Sequence, residues 1–431
     1  MNNDTLSQNS ASFCATIKIM KIWDVIIIGG GAAGMMASGR AGERGKSVLV
    51  LEKNPGLGKK LLITGGGRCN VTNNKQEVRT MLAKYKGNDQ FLFSTFSQFS
   101  VKDALHFYNS RGMATKEENE NRIFPVSNSS KSVWDVLVNY MKEGGVKVET
   151  GAEVSGISTD KETQNIIVKV KGGKEFVGKT CIVATGGTSR PETGSTGDGY
   201  KFLKKLGHTI IENDFALVPV KLSDEWVKVL GGVSLQDIKL TSFQNGQKQE
   251  SMKGKILFTH FGISGPTVLN MSKDIGELLK YGEVVLELDL FPKKDIGTLR
   301  TDLHKLLLEE SNKKIKNTLN KLAPSAFVSA LLDLAGVDGD TVNNILSSEN
   351  RKKLVNLMKA VPLNVSGLLG SDKAIISSGG VKLEEVDFKT MQSRLIPNLY
   401  LVGDVLNIDR PTGGYSLQLC WSTGYVAGSS V

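Results

Sequence analysis

Ile22–Ile28 (IWDVIII) is a run of β-formers with no polar face, and it ends on Gly29-Gly30-Gly31-Ala32-Ala33-Gly34. A strand that is apolar on both faces has to be covered on both, as in the middle of a parallel sheet. The glycines satisfy the spacing G-x-G-x-x-G, and Ala32–Arg44 is rich in helix formers. In such a turn the first glycine allows the tight bend and the second lets the backbone approach a pyrophosphate. The third lets the helix pack on the sheet, with the phosphates at the positive helix N-terminus. Ser47–Leu51 (SVLVL) is a second buried strand, which completes a βαβ unit. Glu52 closes it, 21 residues past Gly31 (positions 31 to 52). An acid about 20 residues on is placed to accept from a ribose 2′-hydroxyl. Strand, turn, helix and acid together predict a dinucleotide site, and Glu in place of a nearby Arg disfavours a 2′-phosphate. The bland alternative is a glycine turn that only packs helix on sheet, with Glu52 a solvated strand end.

What surrounds this unit narrows the class. At about 150 residues per domain, 431 residues suggest two or three domains. Cys14, Cys69, Cys181 and Cys420 are far apart and form no CxxC. That excludes a disulfide scaffold, a Cys-rich zinc module and the dithiol of a disulfide reductase, and it points to a reducing compartment. His106, His208, His260 and His304 have no metal-site spacing, so no metal is expected. The net charge of +10 is dispersed in pairs such as Lys59-Lys60, Lys313-Lys314 and Lys352-Lys353. Such pairs usually mark solvated faces, and nucleic acid is disfavoured as a partner. The longest apolar stretch, Trp23–Met36, is glycine-broken and too short to cross a bilayer. Residues 1–19 are Asn/Ser/Thr-rich with no basic n-region, so they read as a disordered extension ahead of a start at Met20, and the protein as cytoplasmic.

Residues 75–145 read as mainly helical and polar. Short strands return from Val146 and suit a β-meander ending at Thr185. Residues 210–290 alternate strand-like pieces with glycine turns, whereas 295–360 place leucines at helical spacing. Leu399–Val402 (LYLV) is a further buried strand, followed by a glycine-rich stretch into a helix. The expected organisation is an α/β, Rossmann-like domain in two parts, 20–190 and 365–431. An inserted domain, 191–364, lies between them, β-rich over about 210–290 and helical over about 295–360.

Three segments carry a family likeness. Leu399-Tyr400-Leu401-Val402-Gly403-Asp404 resembles the C-terminal flavin motif of glutathione-reductase-like proteins, in which the Asp binds the ribityl chain. Val183-Ala184-Thr185-Gly186-Gly187 resembles their ATG motif. Gly58–Asn73 (GKKLLITGGGRCNVTN) resembles the signature of a bacterial flavoprotein family containing aminoacetone oxidase and the bile-acid-inducible 3-dehydro-bile-acid reductase. Thr193–Tyr200 (TGSTGDGY), Phe258–Pro266 (FTHFGISGP) and Pro411–Gln418 (PTGGYSLQ) match further blocks of that family, so the likeness runs in order over 22–428. It implies FAD as cofactor and a glutathione-reductase-type FAD domain interrupted by an insert. The chain departs from the family pattern at Asp404 (often Glu), Arg410 (often Gly), Ser416 (often Asn) and Cys420-Trp421 (smaller residues).

The candidate cofactor contacts follow. Gly29, Gly31, Ala32, Ala33, Gly34 and Glu52 would hold adenosine and pyrophosphate, with Lys53 and Lys60 adding positive charge. In the loop Thr64, Gly65, Arg68 and Asn70, glycines permit close approach and a planar guanidinium can bridge phosphate or flavin oxygens. Val154, Thr185 and Gly186 would border the dinucleotide. Gly403 and Asp404 would meet the ribityl chain. Gly414, Tyr415 and Ser416 open a helix whose N-terminus would stabilise negative charge on the N1/O2 side of the reduced flavin. Cys69 reads as a small buried residue and not as a nucleophile. His260 is a candidate general acid, although a structural role is the more common one; His208 and His304 read as surface residues.

The reaction expected is hydride transfer at flavin N5. No second G-x-G-x-x-G-plus-acid unit follows residue 60, so either NAD(P)H docks transiently over the flavin or the substrate itself reduces FAD and O2 reoxidises it. The favoured expectation is an NAD(P)H-linked reductase or dehydrogenase of a small organic or steroid-like substrate. The alternatives are an aminoacetone-type amine oxidase producing H2O2 and a non-enzymatic flavin-binding protein with an RNA-binding insert.

Overall fold

The computed structural model describes residues 21–85, 87–212, 217–370 and 379–431. Residues 1–19, expected to form a disordered extension, lie outside the described residues.

Ile22–Ile28 sits in the middle of a seven-stranded sheet, parallel to Val48–Glu52 on one side and to Glu175–Val183 on the other. Lys147–Thr150 extends the parallel sheet beyond Val48–Glu52. Glu175–Val183 has two roles. Its first half pairs antiparallel with Ile166–Val170, which continues to Val154–Thr159, and its end pairs parallel with Leu399–Leu401. The meander and the distant C-terminal strand therefore meet on one strand. Val25, Ile26 and Ile27 are fully buried, as their two-faced apolar pattern requires. The helix Ala32–Glu43 reaches the sheet at Gly34, where a Cβ would stand 2.0 Å from the Gly29 carbonyl oxygen. The C-terminal helix Tyr415–Ser430 packs on that helix.

Asp24 ties these strands together. Its carboxylate accepts from Ser47 N at 2.9 Å, Ser47 Oγ at 2.7 Å and Lys179 Nζ at 2.8 Å. Lys179, together with the Ser47 donors, holds its pKa well below the usual carboxylate range. A depressed carboxylate pKa stabilises the fold above the unfolded-state value of about 3.9, and that stability is lost as pH falls through the folded-state value. Asp24→Asn should therefore cost about 1–2 kcal/mol at pH 7. Urea denaturation should show a smaller deficit at pH 3; an equal deficit at both pH values contradicts the assignment.

Two strands, Thr115–Glu118 and Arg122–Pro125, depart from a mainly helical reading of 75–145. Arg122–Pro125 pairs with both Thr115–Glu118 and Thr72–Asn73 in a small three-stranded sheet. It packs beneath the loop that opens with Thr64.

The insert has its own core. Six strands close a barrel in the order Val220–Leu222, Gly262–Ser264, Gln247–Thr259, Ser234–Gln244, Val284–Asp289 and Val361–Leu368. Helices Ile296–Glu309, Ser325–Ala335 and Ser348–Lys359 bury Leu303, Leu307, Leu331 and Leu354 together with barrel residues such as Phe258 and Leu286. The boundaries differ from 191–364. The last barrel strand runs on to Leu368, because barrel closure needs it. At the other end Phe202 and Leu203, on the amphipathic helix Asp198–Lys205, are buried with the sheet domain.

Candidate functional site

The carboxyl ends of the parallel strands open into one trough, where open α/β sheets bind their ligands. Ile28–Ala33, Leu51–Asn54, Ala152–Val154 and Ala184–Gly186 line one stretch of it, and Lys60, Thr64, Asp404, Ser416 and Cys420 line another. The empty space between these residues is about 1270 Å³, open solvent at its mouth included.

The three motif glycines differ in what they face. Gly29 has φ of 103°, and a Cβ there would meet the Ala184 carbonyl oxygen at 2.5 Å. Gly34 is likewise held by the protein's own backbone, as described above. A Cβ on Gly31 would meet nothing within 4 Å. Packing accounts for the first and third glycines and leaves the second open to the trough. Gly31 is also the N-cap of Ala32–Glu43, which has no side-chain cap and no acid in its first turn. Such a helix start has unsatisfied N–H groups and a positive end, a chemistry that suits phosphate.

Glu52 is 7% exposed. One carboxylate oxygen accepts from Gly30 N at 2.7 Å, and the other from Asn54 N and Nδ2 at 2.7 Å each. An ionised carboxylate offers about four acceptor sites, so capacity for a hydroxyl remains. Asn54, which also donates to the Thr193 carbonyl at 3.0 Å, was not anticipated; only its place directly after the acid hints at it. Lys53 lines the trough but donates to Thr196 Oγ1 at 2.6 Å and Asp198 Oδ2 at 2.9 Å, so its charge is opposed by Asp198. Val154, Thr185 and Gly186 border the same stretch.

At the other end, Asp404 is bonded to Arg410 Nη2 and lies 4.0 Å from Lys60 Nζ. Burial lowers the pKa of Lys60, which also donates to Ser189 Oγ at 3.1 Å. Tyr200 Oη donates to the Asp404 carbonyl at 3.0 Å. Cys420 faces the trough from the C-terminal helix, and burial, followed by the Asp404 charge, pushes its thiol up to about 12. Against an ordinary value of 9.0, this leaves about 10³-fold less thiolate at neutral pH. Alkylation of the Cys420 peptide by iodoacetamide, followed by mass spectrometry, should be slower by about that factor. Labelling at the rate of a free thiol would show that the burial is wrong.

Several candidates lie off the trough lining. Arg68 was expected at phosphate or flavin oxygens; it instead pairs with Glu118 at 2.5 and 3.2 Å, donates to Asn128 Oδ1 at 2.6 Å and covers the Phe124 ring. Asn70, with its amide oriented to satisfy both ends, donates to the Ile123 and Thr72 carbonyls and accepts from Gly414 N at 3.0 Å. Tyr415 is buried, and its carbonyl accepts from Tyr85 Oη. Gly65, Gly403 and Gly414 all have positive φ and shape the backbone around the trough. Cys69 is buried, which pushes its thiol up to about 12, as suits an inert core residue. His260 is exposed in the turn Thr259–Gly262, with its ring against Phe261, and is absent from the lining. The general-acid assignment therefore finds no geometric support. His208 is not a surface residue: it is buried with Nδ1 3.0 Å from Glu385 and Nε2 2.9 Å from Ser393 Oγ.

The profile of the HI0933-like protein Rossmann domain matches residues 23–430. The chain belongs to this family. A ribosomal RNA dihydrouridine synthase of Escherichia coli is 30% identical over 409 residues, covering 94% of this chain and 97% of that one. A 3-dehydro-bile acid delta(4,6)-reductase of Clostridium scindens is 30% identical over 406 residues, covering 93% and 97%. Among solved structures, the 3-ketosteroid delta1-dehydrogenase of Sterolibacterium denitrificans superposes with a TM-score of 0.53 at 13% identity, over 94% of this chain and 98% of that one. That likeness concerns the fold. The family member described here is an FAD-dependent oxidoreductase. Among the described residues no helix is long and apolar enough to cross a membrane.

Proposed function

We propose that this protein uses FAD to reduce a carbon–carbon double bond conjugated to a carbonyl, and that the substrate is a uracil in ribosomal RNA. The observation that carries the reading is the chemistry shared by two relatives of equal identity and nearly full coverage. Dihydrouridine is uridine reduced at the ring double bond beside a carbonyl. A delta(4,6)-reductase acting on a 3-dehydro bile acid also reduces double bonds conjugated with a ring ketone. A second RNA dihydrouridine synthase, of Haemophilus influenzae, is 28% identical over 411 residues. Two RNA-acting relatives against one favour the polyanionic substrate over the small one expected from sequence. The equal identity of the bile-acid enzyme supports a small 3-oxo steroid as the second reading.

Bound FAD supplies the hydride at N5. The chain's part is binding and orientation. The start of Ala32–Glu43 beside Gly31 would take the pyrophosphate, Glu52 the adenosine ribose, and Asp404 the ribityl hydroxyls. The N-terminus at Gly414–Ser416 would oppose negative charge on the pyrimidine side of the ring. A nicotinamide, NADH or NADPH, would act as the reductant.

Anaerobic mixing tests the reading. NADH or NADPH should bleach the yellow protein. Unmodified ribosomal RNA should then restore the colour, with a gain of two hydrogens at a uracil by mass spectrometry. Recovery with a 3-oxo-4-ene steroid but not with RNA selects the second reading. Recovery only with O2 rejects both acceptors, and no bleaching rejects nicotinamide as the reductant.

A further inference from the structure

Arg410 is buried beside the trough, and its surroundings give it a task. Its side chain is 1% exposed. Nη2 bonds the Asp404 carboxylate, Nε donates to Ser416 Oγ at 3.1 Å, and Nη1 donates to the Ile408 carbonyl at 2.6 Å. Asp404 and Ser416 line the trough, whereas Arg410 does not. One rigid guanidinium fork thus spans the end of the last strand and the first turn of the C-terminal helix, a geometry an ammonium cannot reproduce. The insert grips the same segment from outside: Lys273 pairs with Asp409, and Asn270 Oδ1 accepts from Thr412 N at 2.9 Å. Asp404 faces two cations, Arg410 and Lys60, so the cluster holds more positive than negative groups.

We propose that Arg410 is a positioning residue for the flavin site, which fixes Asp404 and the helix start for the ribityl chain and biases the pocket toward the reduced, more negative flavin. This rests on the placement of FAD given above. Because the Arg410 guanidinium is buried, removing its charge weakens the stabilisation of added negative charge.

The test is FAD affinity by titration of the apoprotein, together with the midpoint potential by spectroelectrochemistry, in Arg410→Gln, Arg410→Lys and Asp404→Asn. Arg410→Gln should weaken FAD binding at least tenfold and lower the potential. A tenfold loss of preference for reduced over oxidised FAD corresponds to about 30 mV for a two-electron couple. Arg410→Lys keeps the charge and loses the fork, so affinity should fall tenfold while the potential stays. Arg410→Gln with affinity and potential both as in the wild type overturns the proposal. If Arg410→Gln does not fold, Arg410→Lys decides: unchanged affinity overturns it, and a tenfold loss at unchanged potential supports it. Unchanged affinity in Asp404→Asn would instead reject the placement of FAD on which the proposal rests.

Discussion

Gly31→Ala should yield a folded protein that purifies colourless. The backbone at Gly31, with φ −80° and ψ −172°, is extended and open to any residue, and the new Cβ would touch nothing within 4 Å. Replacing a glycine N-cap by alanine costs the apoprotein at most about 1 kcal/mol. The same methyl group intrudes where a diphosphate would approach the helix start. Losing one or two charge-assisted hydrogen bonds of about 1.5–3 kcal/mol each lowers FAD affinity about 100-fold. Gly34→Ala makes the contrast. Its Cβ would lie 2.0 Å from the Gly29 carbonyl oxygen, so the helix must move off the strand and the apoprotein itself is destabilised. Urea denaturation of both apoproteins, with FAD titration of whatever folds, separates the two effects. Normal FAD binding by Gly31→Ala would mean that the open space at the turn is not a phosphate site.

Asp404→Ala is expected to be the most damaging single change to stability. It leaves the guanidinium of Arg410 buried and unpaired, and removing one partner of a buried pair costs about 3–5 kcal/mol. Lys60, 4.0 Å from the carboxylate, loses its neighbour as well. The double variant Asp404→Ala/Arg410→Met should recover much of the denaturation midpoint, because both charges are gone. It should not recover FAD affinity, because the acceptor for the ribityl hydroxyls is still missing. Recovery of both would leave Asp404 with a structural role only.

The nucleotide-binding half was legible because its signals are local. A two-faced apolar strand, three spaced glycines and an acid at the next strand end lie within the 31 residues from 22 to 52, and each faces the trough or packs beneath it as its chemistry requires. What escaped depends on partners far away in the chain. Arg68 looks like an anion binder until Glu118, 50 positions on, takes its charge. His208 follows Lys204-Lys205 and looks solvated, yet Glu385 and Ser393 enclose it. Barrel closure was hidden for a similar reason, since alternating short strands do not tell whether the last, Val361–Leu368, returns to the first. Arg410 was visible only as an odd residue; its bonds to Asp404 and Ser416 require the fold.

A crystal structure of the yellow holoprotein tests the account most directly. It should place the FAD pyrophosphate within hydrogen-bond distance of the backbone N–H groups that follow Gly31, and a ribityl hydroxyl on the Asp404 carboxylate. A flavin bound elsewhere, or one whose phosphates lie away from that helix start, would contradict it.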